Sequence, residues 1–308
     1  MKISFIGVGA MGGGMAMNLV RAGYTLRAIT GSRAAALEPF QAAGAETSMN
    51  PLDAADSEVI FLCLPSVKAV RSVLFGEVGL AARLHPGQTL VDCSTIGYLD
   101  AREMGEALEK QGVRYLDAPV SGHETRAKDG TLTIMVGGTA EVFEAVRPLL
   151  EHMGTTILHM GGYGAGQMTK MINNCILNIC TASFCELMPL GVKLGLDAEK
   201  LGKVLTTASG SSYASQMLIP QILKGDFSYG FSMEKAYKDM ESMWQVTGKY
   251  AVPLPTFYGT MQTYQMALQQ GHGGDYKAGM IRFYEDLLGV QCRSAGKPED
   301  APADEADK

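Results

Sequence analysis

Residues 1–19 read MKISFIGVGAMGGGMAMNL, and the order of apolar residues and glycines in them decides the fold of the first half of the chain. The short apolar run Lys2–Ile6 is followed by Gly7, Gly9 and Gly12, and a helical pattern then covers residues 11–20. Strand, tight turn and helix with Gly-x-Gly-x-x-Gly spacing is the pattern of a dinucleotide-binding crossover. Gly7 permits the turn, Gly9 lets the backbone approach a pyrophosphate, and Gly12 lets helix and strand pack closely. The amides at the helix start, around Ala10 and Met11, have no intrahelical partner and are the expected phosphate donors.

Downstream, apolar runs at residues 24–30, 59–64, 89–92, 112–116 and 132–136 alternate with helical stretches such as 66–74 and 101–111. That alternation predicts an α/β fold, a Rossmann-type doubly wound, largely parallel sheet. From about residue 166 the periodicity is helical: 167–194, 198–206, 211–223, 232–249, 255–270 and 277–288. The expected division is a dinucleotide-binding domain over 1–163, an all-α C-terminal domain over 164–293 for substrate binding and oligomerisation, and a disordered acidic tail over 294–308.

The 308 residues are 46% hydrophobic and 19% charged, with a net charge of −6 and no basic run, which gives no footprint for nucleic acid or an acidic membrane surface. Six cysteines form no C-x-x-C pair and most sit in apolar runs, so no metal site is expected and the compartment reads as the reducing cytoplasm. The N-terminus passes directly into a strand, which leaves no room for a cleavable signal peptide. The most apolar stretch, 171–194, is interrupted by Asn173, Asn174, Asn178 and Glu186 and reads as a buried helix rather than a membrane span.

Four segments together resemble the β-hydroxyacid dehydrogenases, the family of 3-hydroxyisobutyrate dehydrogenase and tartronate semialdehyde reductase. They are the N-terminal fingerprint with its Met15-Ala16-x-Asn18-Leu19 extension, Asp117-Ala-Pro-Val-Ser-Gly122 with Asp129-Gly-Thr-Leu-Thr-Ile-Met-Val-Gly137, Gly164-Ala-Gly166-x-x-x-Lys170-x-x-x-Asn174, and Lys238-Asp239. The resemblance spans residues 1 to about 290. It implies an NAD(P)-dependent oxidoreductase that interconverts a small β-hydroxy acid and its semialdehyde or keto form. It makes Lys170 the general acid/base, Ser121 and Gly122 the carboxylate site, Asn174 a substrate contact and Phe231 a pocket aromatic. Leu64, Pro65, Thr95 and Lys238 become cofactor contacts, with the nicotinamide between sheet and helical domain. Relatives assemble as homodimers or homotetramers.

Two positions depart from the family. His123 follows Ser-Gly where a second glycine is usual, which shrinks the pocket or adds a donor, and Ala236-Tyr237 stand where a histidine usually precedes the lysine. Between residues 24 and 37 there is no acid to accept from a ribose 2′-hydroxyl. Thr30, Ser32 and Arg33 stand there instead and suit a 2′-phosphate, so the cofactor reading leans to NADP over NAD. Segments 209–213 and 225–227 resemble 2-(hydroxymethyl)glutarate dehydrogenase. A dicarboxylate would need a second anion site, with Arg126 or His123 available. A non-catalytic nucleotide-binding module is the alternative of a different class. Asn173 in place of a histidine disfavours 6-phosphogluconate dehydrogenase, and Lys170 disfavours imine reductases.

Overall fold

The computed structural model of the chain describes residues 1–228 and 230–294; the expected tail, from residue 295 on, lies outside them. The strands are β1 (Lys2–Ile6), β2 (Thr25–Ile29), β3 (Glu46–Ser48), β4 (Val59–Leu62), β5 (Thr89–Asp92), β6 (Arg114–Asp117), β7 (Val120–Ser121), β8 (Leu132–Gly137) and β9 (Gly154–Gly161). They form one sheet in the order 3-2-1-4-5-6-8-7, with β9 beside β8. The first six are parallel; β8 runs antiparallel to β6 and β7 and parallel to β9.

The helices accompanying the sheet are α1 (Ala10–Arg21), α2 (Glu38–Ala42), α3 (Val67–Phe75), α4 (Tyr98–Glu109), α5 (His123–Asp129) and α6 (Ala140–Leu150). They cover both faces, so β4 and β5 are buried along their whole length, as central parallel strands require. Phe5 of β1 stacks on Phe61 of β4 with ring centroids 5.5 Å apart. Helix starts follow local chemistry. Ser66 accepts from the Ala69 amide and Thr139 from the Val142 amide, each satisfying a donor of the first turn.

The longest helix, α7 (Ala165–Lys193), leads into α8 (Ala198–Thr207), α9 (Tyr213–Lys224), α10 (Met233–Tyr250), α11 (Pro255–Gln269) and α12 (Ile281–Leu288). The described residues form two compact units, 1–172 with 242–246, and 173–241 with 247–294. By length and composition α7 could cross a bilayer. Two of its polar residues, though, are tied into the packed helices. Buried Asn178 accepts from Tyr264 OH (3.1 Å) and Lys277 Nζ (3.0 Å), and Glu186 accepts from Thr263 (2.6 Å).

The sheet extends beyond the sequence-based expectation. β9 was not anticipated, because it is an edge strand with mostly exposed side chains and gives no alternating apolar signal. β3 has three residues and β7 two, too short for periodicity to register. Residues 277–288 are a 3₁₀ turn over Lys277–Met280 followed by α12, rather than one continuous helix.

The first crossover depends on one close approach. A Cβ on Gly12 would lie 2.0 Å from the Gly7 carbonyl oxygen and 3.0 Å from Phe5 and Cys63, in backbone and core that cannot yield. Gly12→Ala is expected to destabilise the first unit by about 1–3 kcal/mol through overpacking, read as a lower urea midpoint. Gly13→Ala, whose nearest neighbour would be 3.2 Å away, is the milder control.

Candidate active site

Register aligns the carboxyl ends of five parallel strands. Ile6 pairs with Ile29 and Leu62, Leu62 with Asp92, and Asp92 with Asp117. Chain direction across the sheet reverses between β1 and β4, the switch point where open α/β sheets take ligands. The turns carrying Gly7 to Gly12, Thr30 to Arg33, Leu64 with Pro65, and Thr95 therefore stand along one edge, although they are far apart in sequence.

At the switch point Gly7 has φ +97°, and a Cβ there would sit 2.3 Å from the Cys63 carbonyl oxygen. Gly9 differs, since a Cβ on it would meet nothing within 4 Å. Gly9 is also the N-cap of α1, with no side-chain cap and no acid in the first turn at Ala10 and Met11. An open backbone approach at a helix start without a competing carboxylate fits a dinucleotide pyrophosphate. Beside it, Thr30 is buried and its Oγ1 accepts from the Ser32 amide at 3.5 Å, while Ser32 and Arg33 are exposed.

Two buried carboxylates end β5 and β6. Asp117 accepts the amides of Gly164 (2.7 Å) and Gln167 (2.9 Å), so the start of α7 is anchored on the sheet by its own unpaired N–H groups. Burial pushes Asp117 up to about 6 against these donors. Asp92 accepts from the Ser94 amide at 2.9 Å, and Ser94 Oγ accepts from the Leu64 amide at 2.8 Å. Burial raises Asp92 to about 7, opposed by the Ser94 hydrogen bonds and reinforced by the charge of Asp117. Among the described residues, neither its Oδ2 nor the hydroxyl of nearby Tyr115 has a hydrogen-bond partner. Lys170 is half-buried on α7, one turn beyond Gln167. The neighbouring thiols are unsuited to nucleophilic work, because burial pushes Cys63 up to about 12 and Cys93 well above its usual value.

Ser121 ends β7, half-buried, opposite Thr133 of β8. Gly122 has φ +144°, and a Cβ on it would lie 2.9 Å from the Arg126 side chain, which folds back over it. His123 is exposed and holds φ +61°, a left-handed conformation that costs a non-glycine residue of order 1 kcal/mol. The unusual histidine thus stands where glycine would be relaxed, and it persists despite the strain.

In the second unit, Asn174 donates through Nδ2 to Asp239 Oδ2 at 2.9 Å. Lys238 is half-buried beside Asp239 on α10, and Phe231 is exposed just ahead of that helix. Asp239, the neighbour of the Lys238 to which the motif points, orients the Asn174 amide. Asp92, Asp117 and Gln167 likewise carry contacts that the sequence pattern does not announce. Nothing local marks these residues, whose partners lie up to 73 positions away.

Comparison with known proteins identifies the family. Residues 2–162 match the NAD-binding domain of 6-phosphogluconate dehydrogenase, and 164–284 match the NAD-binding domain of NADP-dependent 3-hydroxyisobutyrate dehydrogenase. The chain belongs to the β-hydroxyacid dehydrogenase family. It is 35% identical over 290 residues to 2-(hydroxymethyl)glutarate dehydrogenase of Eubacterium barkeri, covering 94% of this chain and 96% of that one. It is 39% identical over 247 residues to 3-hydroxyisobutyrate dehydrogenase of Pseudomonas aeruginosa, covering 77% and 82%. The solved structure of 3-hydroxyisobutyrate dehydrogenase from Mycobacterium tuberculosis with L-serine superposes with a TM-score of 0.82 at 31% identity, covering 91% of this chain and 98% of that one. This dehydrogenase is therefore an NAD(P)-dependent oxidoreductase of hydroxy acids, with the sheet and helical regions expected of the family.

The buried carboxylates give the dehydrogenase a pH signature. Asp92 titrates near 3.8 when unfolded and near 7 when folded, so its contribution to stability is complete below pH 4 and is lost as pH rises through 7. Asp117 acts in the same direction between about 4 and 6. Urea melts from pH 4.5 to 8 are expected to show a smaller loss of stability with rising pH in Asp92→Asn than in the unsubstituted protein. Parallel profiles would mean that Asp92 does not carry the effect.

Proposed function

We propose that this dehydrogenase interconverts a small carboxylated β-hydroxy acid and its semialdehyde, with NADP as the preferred coenzyme and Lys170 as the proton carrier. The observation that carries the proposal is the anchoring of α7 on Asp117, which starts the lysine-bearing helix at the same sheet edge as the nucleotide-binding turn. The nicotinamide, when bound, accepts or supplies the hydride. In the reductive direction the Lys170 ammonium donates a proton to the substrate carbonyl oxygen; in the oxidative direction the amine takes the alcohol proton. Ser121 and the Gly122 backbone receive the carboxylate, and Asn174, held by Asp239, offers its amide to the substrate. Phe231 contributes an apolar wall and Lys238 a coenzyme contact. Leu64, Pro65 and Thr95 flank the coenzyme, and Thr30, Ser32 and Arg33 receive the 2′-phosphate. Residues 1–163 serve the dinucleotide, and 164–293 serve substrate and assembly.

A dicarboxylate is the second reading, supported by the Arg126 side chain folded over Gly122 and by His123 beside it. The deciding experiment follows NADPH and NADH oxidation at 340 nm against tartronic, methylmalonic and succinic semialdehydes and a formyl-dicarboxylate. Lys170→Ala should lower kcat by roughly 10²–10⁴-fold on every substrate. Arg126→Gln should raise KM for the dicarboxylate alone if that reading holds. Nucleotide binding with no turnover on any of them would overturn the enzymatic assignment of the site in favour of a nucleotide-binding module.

The net charge of −6 supports a small-molecule substrate over nucleic acid or an acidic membrane surface, and the free cysteines suit the reducing cytoplasm. Ile176, Leu187, Leu190 and Leu194 are exposed along and just past α7, a stripe that suits a second copy of the chain. Light scattering is expected to give a homodimer or homotetramer, and Leu190→Asp with Leu187→Asp to shift it toward monomer. A monomeric parent protein would refute that assembly.

A further inference from the structure

Gln167 is fully buried, and its side chain is spent on the main chain of another loop. Its Nε2 donates to the Ser94 carbonyl at 2.7 Å, and its Oε1 accepts from the Ile96 amide at 3.1 Å. These two groups bracket Thr95, the half-buried residue between them. Beyond Cys93, whose amide still bonds Leu62, the chain leaves the sheet, and Gln167 supplies the partners that a neighbouring strand would otherwise provide. A leucine or methionine would fill similar volume without an amide to satisfy. A buried primary amide is retained at low cost only where both its donor and acceptor are used, as here.

The same residue is fixed from its other side. Its backbone N–H donates to Asp117 Oδ2, and Ser94 in turn is bonded to Asp92 and to the Leu64 amide. One residue thus links the loops after β4 and β5, the end of β6, and the helical turn that carries Lys170 three positions later.

We infer that Gln167 is a positioning residue that locks the loop presenting Thr95 to the first turn of α7, setting Lys170 in register with the bound nucleotide. The inference rests on the assignment of Thr95 to the coenzyme and of Lys170 to proton transfer. It adds a mechanical connection between them that neither residue makes by itself. Coenzyme held at residues 94–96 restrains residues 165–172 through the amide, so nucleotide binding orders the lysine-bearing turn before substrate arrives. Misplacement of that turn lowers kcat, whereas nucleotide affinity, drawn mostly from the Gly7 to Gly12 turn, changes little.

The test uses the full chain with and without NADPH, in hydrogen exchange and in steady-state kinetics. In the unsubstituted protein nucleotide should slow exchange in residues 7–12, 93–97 and 165–172. Gln167→Leu should keep the protection at 7–12 and lose it at 165–172, with kcat lowered roughly 10–100-fold and the nucleotide dissociation constant changed less than about threefold. Gln167→Glu adds a readout that simple loosening of the core would not move. The ionised carboxylate repels the Ser94 carbonyl, but the protonated acid restores both donor and acceptor. Its kcat relative to the parent should therefore climb as pH is lowered, while the relative kcat of Gln167→Leu stays flat.

Retained protection at 165–172 with unchanged kcat in Gln167→Leu would overturn the inference. If Gln167→Leu fails to fold, a flat relative profile for Gln167→Glu would do the same. Absence of nucleotide protection at 93–97 in the parent, or full turnover in Lys170→Ala, would instead remove the assignment beneath it, and those outcomes are read in different proteins and peptides.

Discussion

The carboxylate of Asp117 anchors the start of α7 to the sheet in this dehydrogenase. It ends a parallel strand inside the protein, where an isolated charge would be costly, and it is stabilised by the unpaired amides at the head of a 29-residue helix. The exchange is reciprocal. The helix start acquires the anion it favours, and the carboxylate acquires donors that water would otherwise provide. The first turn of α7 is held at the sheet edge by that contact.

Around this anchor the polar interior is unusually connected. Asp92, Ser94, Gln167 and Asp117 form a chain of hydrogen bonds that runs from the Leu64 amide to the start of α7. Two carboxylates raised to about 7 and about 6 in one buried network make its charge state sensitive to pH in the physiological range. The penalty for ionisation is borne by the native state alone, which is why this region trades stability for fixed geometry. His123 makes a similar trade on a smaller scale, holding a left-handed backbone next to the Ser121–Gly122 turn.

Much of this was legible in the sequence. The N-terminal glycine spacing announced the crossover because Gly7 and Gly12 meet backbone within 2.3 Å in any structure that closes so tightly, and no other residue fits. The alternation of apolar runs with helical patterns gave β1, β2, β4, β5, β6 and β8, whose buried side chains carry the signal. β9 and β3 escaped because edge strands with exposed side chains need no apolar pattern, and their pairing is decided by backbone groups alone.

The site divides along the same line. The sequence by itself determined the nucleotide turn, the candidate lysine on its helix, and the absence of an acid after β2, since each is a property of residues close in the chain. Tertiary structure alone decided that Asp117 seats α7, that Gln167 holds the loop around Thr95, and that Asp239 orients Asn174. Those contacts join residues 47 to 73 positions apart, and a hydrogen bond between distant segments leaves no periodicity or spacing in the sequence. Its existence depends on where the sheet register and helix packing carry the two groups.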